Sequence, residues 1–590
     1  MTTHIEDYAL ISNCRTGALI SRSGSVDWLC VPRFDSSSIF AALLGSHHHG
    51  NWALRPTGES TPAGRRYDGD TMILVTRWET ETGIAEVHEF MPIDGARVDV
   101  VRRIVGISGT VEFTTELRMR FDYARSVPWV QQTGDEQPEL LAIAGPDAVL
   151  VRGVALHAED HVHHATVSVG AGDHHDLVLT WFHSYRPHPE PLDVDAALAA
   201  TRDWWIEWSG HIEHEGPYRD QVVRSLVTLR ALSNPDTGGI VAAATTSLPE
   251  MPGGERNWDY RYVWLRDAAL TLIVLISHGF LHVADFWRIW LMRAIAGDPK
   301  QVQILYGVAG ERDLPERELP LPGYDDSTPV RVGNAAVGQF QADTLGEVLV
   351  ALHVARTAGL AETDFSWPLQ RHLIKRVEAY LDRPDQGIWE MRGEPKFFTH
   401  SRVMEWAAFD RGVRAIEDFD LTGPLEKWKQ LRDKLRTEIE SQMVDPDDGN
   451  FVQYSGTREV DAALLQLPQV EFCDPDDPRM LATVDKIERT LMRNGLVHRY
   501  RSETGVDGVS GTEYPFLACT FWLVEQYARS GRHHDARKLM RRATATASDL
   551  GQFSEEYDPV HQRQVGNVPQ ALSHLAFVRA ADALVGTVDG

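Results

Sequence analysis

NWDYRYVWLRDAALTL, residues 257–272, runs from a loop crowded with rings and charges into an apolar helix. Trp258, Tyr260, Tyr262 and Trp264 are set among Asp259, Arg261, Arg266 and Asp267, and Gly253 and Gly254 give the loop a flexible entry. Aromatic faces cover the C–H side of a pyranose, and a carboxylate beside a guanidinium binds hydroxyls through charge-assisted hydrogen bonds. The stretch suits a neutral, polyhydroxylated ligand such as a sugar. The plainer alternative is a helix start with core aromatics and a local Arg–Asp ion pair.

The passage from long loop to helix repeats outward from this point. From about residue 217 apolar positions recur at three and four, as at Leu369, Leu373, Val377 and Tyr380 with Leu381. The periodicity predicts twelve helices, near 217–234, 265–279, 282–297, 339–359, 362–383, 400–418, 422–443, 456–466, 476–493, 512–530, 532–547 and 569–584. Connections after odd-numbered helices are long: 235–264, 298–338, 384–399, 444–455, 494–511 and 548–568. Those after even-numbered helices are mostly short, such as 280–281, 360–361, 419–421 and 531. In a ring of helix pairs the long connections gather at one end and build a pocket there. Six pairs specify an (α/α)6 barrel over residues 217–590.

Residues 1–195 read differently, as an antiparallel β-sandwich. ALIS and SVDWLC flank a turn at 21–24, MILVTRWE and IAEVHEFMPI flank one at 80–83, and VVRRIVGIS and TVEFTTELRMRF flank Ser108 and Gly109. AVLVRGVALHA, ATVSVGAG and DLVLTWFHS follow. A Pro-bearing stretch, 187–191, then leads to a linker helix at 196–216, whose Trp204, Trp205 and Trp208 are expected to pack between the two parts.

The 590 residues exceed one ordinary core. A net charge of −27 disfavours nucleic acid and anionic membrane surfaces as partners. Cys14, Cys30, Cys473 and Cys519 form no CxxC pair, so a reducing compartment is the default. The start MTTHIEDYALISN has no basic n-region or long apolar run, and a cytoplasmic address is expected. A homo-oligomer is compatible with these features.

Three long loops carry acids beside aromatics: the opening stretch, Gly387-Ile388-Trp389-Glu390, and Ser554-Glu555-Glu556-Tyr557-Asp558. Hydrolysing an acetal needs an acid to protonate the leaving oxygen, and inversion also needs a base to activate water on the opposite face. Glu390 suits the acid, because an apolar neighbour such as Trp389 raises a carboxyl pKa. Glu555 suits the base, on an exposed loop with polar neighbours that keep it ionised. A solvated surface charge is the alternative for either.

WDYRYVWLRDAALTL, GIWE, HRY with GTEYPFLACTFWL, and SEEYDP with GNVPQALSH resemble glycoside hydrolase family 15, which holds glucoamylases, glucodextranases and trehalases. The opening IEDYALISNCRTGALISRSGSVDWLCVPRFDSSSIFAALLG resembles the N-terminal domain of its trehalase-like branch. The resemblance spans nearly the whole chain, weakest over 120–215, and implies a β-sandwich followed by an (α/α)6 barrel. It implies Glu390 as general acid, Glu555 as general base with Glu556 competing, and Tyr260 beside the nucleophilic water. It also implies that Arg266, Asp267, Trp264, Trp389 and Arg499 bind substrate. Met391 departs from the glucoamylase pattern, where a second acid often follows the first.

The expectation is an inverting, exo-acting α-glucoside hydrolase with a small saccharide substrate, α,α-trehalose leading, and with no cofactor and no metal. A glucoamylase or α-1,6-glucosidase is the first alternative; a glycoside phosphorylase or a non-catalytic sugar-binding protein is weaker. The acid and base should stand about 6.5–9.5 Å apart. Histidine-rich stretches at 47–49, 157–164 and 174–176 have spacings too irregular for a zinc site and read as surface turns.

Overall fold

The computed structural model describes residues 2–586 apart from 94, 96, 134–137, 297–301 and 510. The start of the expected 298–338 loop and the last residue of the expected helix 282–297 therefore lie outside the described residues.

The strands from Tyr8–Ser12 to His174–His183 pair antiparallel throughout. Two sheets share one long strand, Val98–Arg118. Its first half pairs with Gly83–Phe90 and His174–His183, and its second half with Asn51–Pro56 and Val162–Gly170. This corrects the turn expected at Ser108 and Gly109: the chain runs straight through. Gly109 has φ +63°, and a Cβ there would lie 2.1 Å from the Thr82 carbonyl oxygen. The glycine thus marks the place where the strand passes from one sheet to the other. The strands Asn51–Pro56, Pro62–Tyr67, Trp129–Thr133 and Glu139–Ala144 were not anticipated; Trp129–Thr133 is an exposed edge without alternation.

Helix α1 (Val194–Ser209) follows the sandwich. Trp208 stacks on Phe280 with ring centroids 4.2 Å apart, and Arg202 pairs with Asp68 of the sandwich, so α1 bridges sheet and helices. Then come α2 (Arg219–Ala231), α3 (Leu265–Ser277), α4 (Leu281–Ile295), α5 (Asp343–Thr357), α6 (Ser366–Tyr380), α7 (Thr399–Glu417) and α8 (Leu425–Gln442). A 3-10 helix, Ala462–Val470, precedes α9 (Pro478–Thr490), α10 (Leu517–Arg529), α11 (His533–Thr544) and α12 (Ala571–Ala583). Here the expectation of an α-helix at 456–466 fails. Pro468 lies inside the segment and lacks the N–H of an α-helical ladder, so the tighter helix forms, and it starts only after Asp461.

Among the described residues α3, α5, α7, the 3-10 helix, α10 and α12 touch in sequence, and α12 touches α3, closing a ring. The remaining helices after α1 pack outside it, which makes an (α/α)6 barrel. The two layers differ in burial as their places require. Inner α10 buries every residue from Leu517 to Ala528, whereas outer α9 buries only Met480, Thr483, Val484 and Ile487, one stripe at helical spacing.

The long connections gather at the N-terminal ends of the inner helices, and the sandwich rests against them. Trp28 Nε1 donates to the Ala244 carbonyl (3.0 Å), Asp35 accepts from Val308 N (2.8 Å), and Gln552 Nε2 donates to the Tyr67 hydroxyl (3.0 Å). Each contact comes from a different long loop.

Candidate active site

A cleft opens where these loops meet, a concave site with ring faces and a few convergent polar groups. Its walls include Tyr260, Trp264, Arg266, Asp267, Trp389, Glu390, Arg499 and Glu555. Acids distant in the chain therefore share one hollow with the Arg266–Asp267 pair. Glu556, the competing residue, is not part of the wall.

Glu390 sits at the end of a tight turn. Its N–H donates to the Gly387 carbonyl (3.2 Å), its φ is +56°, and its side chain is 21% exposed. A Cβ on Gly387 would come within 2.8 Å of the Phe398 ring, so only glycine fits there. The Glu390 carboxylate accepts from Trp264 Nε1 (2.7 Å) and Arg266 (3.2 Å) through the same oxygen, Oε1. Trp389, the neighbour in sequence, instead gives its N–H to Asp461 (3.1 Å) and packs against Tyr500, Phe516 and Trp522. Gln339 holds the Glu390 carbonyl from behind (3.1 Å).

Glu555 and Glu556 face opposite ways, as neighbours on an extended segment must. Glu555 accepts the Tyr260 hydroxyl (2.8 Å) on its Oε1. Gly566 lies so close that a Cβ there would stand 2.7 Å from both Cβ and Oε2 of Glu555. The expectation of an exposed loop is overturned, because Glu555 is 1% exposed. Burial, then the Glu250 charge, push its carboxyl up to about 8, against the pull of Arg499, the Tyr260 hydroxyl and the Asn567 N–H.

Glu556 turns its carboxylate to Tyr514 N (2.9 Å) and Arg499 (3.2 Å). Arg499 also meets Glu250 (2.9 Å) and Glu513 (2.7 Å). Among the described residues, Glu250, Glu513 and Glu556 are the one group of three or more acid, histidine or cysteine side chains whose ligand atoms converge, within 4.8 Å. The cation they surround is the Arg499 guanidinium. Burial and mutual repulsion hold Glu556 well above the ordinary carboxylate range.

Arg266 is held by Gln341 (3.0 Å), Asp343 (3.6 Å) and Glu390. Asp267, 3.5 Å from Arg266, keeps Oδ2 buried without a hydrogen-bond partner, and burial raises its carboxyl to about 6 against the pull of Arg266. The cleft thus combines carboxylates from separate loops, the Arg266–Asp267 pair and several ring faces. Such an arrangement can hold a pyranose and deliver acid and base to a glycosidic bond.

Sequence reasoning missed Glu250, Gln339, Gln341 and Asp343. All lie in the long connections or at the first turn of an inner helix, where position in the ring is the only signal. Arg256 and Asp507, which pair beside Arg499, were missed for the same reason.

Comparison with known proteins places this chain among the glycosidases. The sequence model described as Glycosyl hydrolases family 15 matches residues 216–582, and that described as Trehalase-like, N-terminal matches residues 1–182. The chain belongs to glycosyl hydrolase family 15. It is 36% identical to a trehalase of Mycolicibacterium smegmatis, over 98% of this chain and 90% of that protein. It is 33% identical to a trehalase of Thermoplasma volcanium, over 98% and 93%. A bacterial glucoamylase crystallised with acarbose shares the fold at TM-score 0.75 and 12% identity, covering 99% of this chain and 94% of that one. No helix among the described residues is long and apolar enough to cross a membrane.

Proposed function

We propose that the chain hydrolyses α,α-trehalose with inversion, Glu390 acting as general acid and Glu555 as general base. One observation carries this reading: Glu390 and Glu555 line a single cleft, and each takes a hydrogen bond from the same aromatic segment, through Trp264 and Tyr260. The trehalase relatives supply the substrate. A glucosyl ring seated against Trp389 would give a hydroxyl hydrogen to the Asp267 carboxylate at the cleft wall. Glu390 then protonates the bridging oxygen as the C–O bond breaks. Water on the far side of the anomeric carbon gives its proton to Glu555 and forms the new C–O bond, releasing one β-glucose from the attacked ring and one α-glucose as leaving group.

Glu555 must be ionised to do this, so the proton its buried surroundings hold at neutral pH has to rest elsewhere in the cluster. Glu556 is the favourable host, being buried, raised by that burial and by the Glu250 charge, and turned away from the cleft.

The test is glucose release from trehalose, maltose, isomaltose and dextran under identical conditions. Trehalose should be cleaved with the highest kcat/KM. Preference for maltose or isomaltose would replace trehalose with the alternative substrates, and turnover of none would overturn the hydrolase reading.

A further inference from the structure

The segment 258–264 runs extended, with backbone hydrogen bonds to residues 242–247. From Trp258 to Arg261 its side chains alternate, and the chain bends at Tyr262. Trp258, Tyr260 and Trp264 line the cleft, and Tyr260 and Trp264 hold the two carboxylates. Asp259 and Arg261 point the other way and are fully enclosed. Arg261 grips Asp259 with both arms of its fork, Nε to Oδ1 (2.8 Å) and NH2 to Oδ2 (2.6 Å). Its third nitrogen reaches into the sandwich, donating to the carbonyls of Ser36 (2.9 Å) and Phe34 (3.3 Å). The guanidinium lies 5.7 Å from the Trp28 ring and 5.5 Å from the Tyr123 ring, both of the sandwich. Asp259 Oδ2 also accepts from Gly333 N (3.2 Å) in the loop that follows α4.

We infer that Arg261, locked to Asp259, is a positioning residue through which the N-terminal sandwich sets the reach of Tyr260 to Glu555 and of Trp264 to Glu390. The inference rests on the acid and base roles proposed above. The physical case is the shortness of the lever. Arg261 is the immediate neighbour of Tyr260 in the chain, so a backbone shift that follows the release of its side chain carries the tyrosine with it. A fork with two arms on one carboxylate and a third nitrogen on backbone carbonyls has one fitting geometry. Lysine keeps the charge and loses that geometry. The sandwich is then part of the catalytic apparatus, although among the described residues it contributes no side chain to the cleft wall.

The experiment compares Arg261→Met, Arg261→Lys and Tyr123→Leu with the native chain. Tyr123 touches Arg261 from the sandwich and is no part of the cleft. Circular dichroism and thermal unfolding report the folded fraction, and kcat and KM are normalised to it. Arg261→Met should lower kcat by about 100-fold, the loss a misplacement near 1 Å produces, with KM changed far less. Its acid limb in kcat/KM should move to higher pH, because Glu555 loses the Tyr260 hydrogen bond that favours its ionised form. Arg261→Lys should rescue little of this, and Tyr123→Leu should show a few-fold effect of the same sign. If Arg261→Met does not fold, Tyr123→Leu carries the test alone. Native kcat and a native pH profile per folded molecule would overturn the inference. Glu390→Gln and Glu555→Gln run alongside: if they stay active the acid–base reading fails, and if they are inert while the Arg261 and Tyr123 variants are normal, only the positioning role fails.

Discussion

Replacing Tyr260 with phenylalanine removes one hydrogen bond and leaves the ring in place. The lost contact is 2.8 Å long, buried, and ends on a carboxylate that has no other side-chain donor within hydrogen-bond reach among the described residues. A buried hydrogen bond to a charged group contributes roughly 1.5–3 kcal/mol, and 1.36 kcal/mol corresponds to one pKa unit. That hydrogen bond lowers the Glu555 pKa, so its loss should raise it by about one to two units. A base works ionised, so the acid limb of kcat/KM should move up by that amount. At pH 7 kcat/KM should fall about 10–100-fold and recover as the pH is raised. Glu250→Gln supplies the opposite sign: it removes the largest repulsive charge on Glu555 and should move the same limb down. The assay is initial-rate hydrolysis across pH 4–10 in constant-ionic-strength buffer. A Tyr260→Phe loss that is the same at every pH would refute the reasoning, because it would mean that tyrosine serves the water alone.

Three further outcomes follow from the same geometry. Glu390→Gln should lower kcat about 10²–10⁴-fold with an unchanged circular dichroism spectrum and little change in Tm, since general acid catalysis supplies that much and Glu390 is partly exposed. Gly566→Ala should drive a methyl against Glu555 and strain a residue at φ +77°, lowering kcat at least tenfold and stability by about 1–2 kcal/mol, read by urea unfolding. The unliganded chain should lose thermal stability between pH 6.5 and 8.5. Asp385 and Asp461 are raised to about 7, and Glu347 and Glu555 to about 8, so the folded state binds protons the unfolded state has already lost. Their contribution is full below the unfolded carboxyl pKa and disappears as pH rises through the folded values. Buried His400 and His574, lowered to about 3, change their contribution only below the ordinary histidine range and leave this window alone. Glu347→Gln should flatten the decline, measured by scanning calorimetry.

The barrel was legible because long and short connections alternate, and in a ring of helix pairs that alternation has one spatial meaning. Which acids would meet followed from it, since Glu390 and Glu555 both stand in long connections. Local pattern failed where tertiary context decides. Gly109 has the sequence of a turn, yet two sheets needing a common strand make it a crossing point. The apolar run around Leu464 looks α-helical until Pro468 forces the tighter winding. Polar neighbours suggested that Glu555 is solvated, because sequence proximity says nothing about the Tyr260 and Gly566 loops that cover it. For the same reason the ring that hydrogen-bonds Glu390 was not legible: Trp389 adjoins it in the chain, but Trp264 reaches it in space.

The central claim is that acid and base act from opposite faces of one anomeric carbon. It is tested most directly by following trehalose hydrolysis by proton NMR in the first minutes, before mutarotation scrambles the products. Equal amounts of α- and β-glucose should appear together. Release of α-glucose alone would mean retention, and would contradict the roles assigned to Glu390 and Glu555.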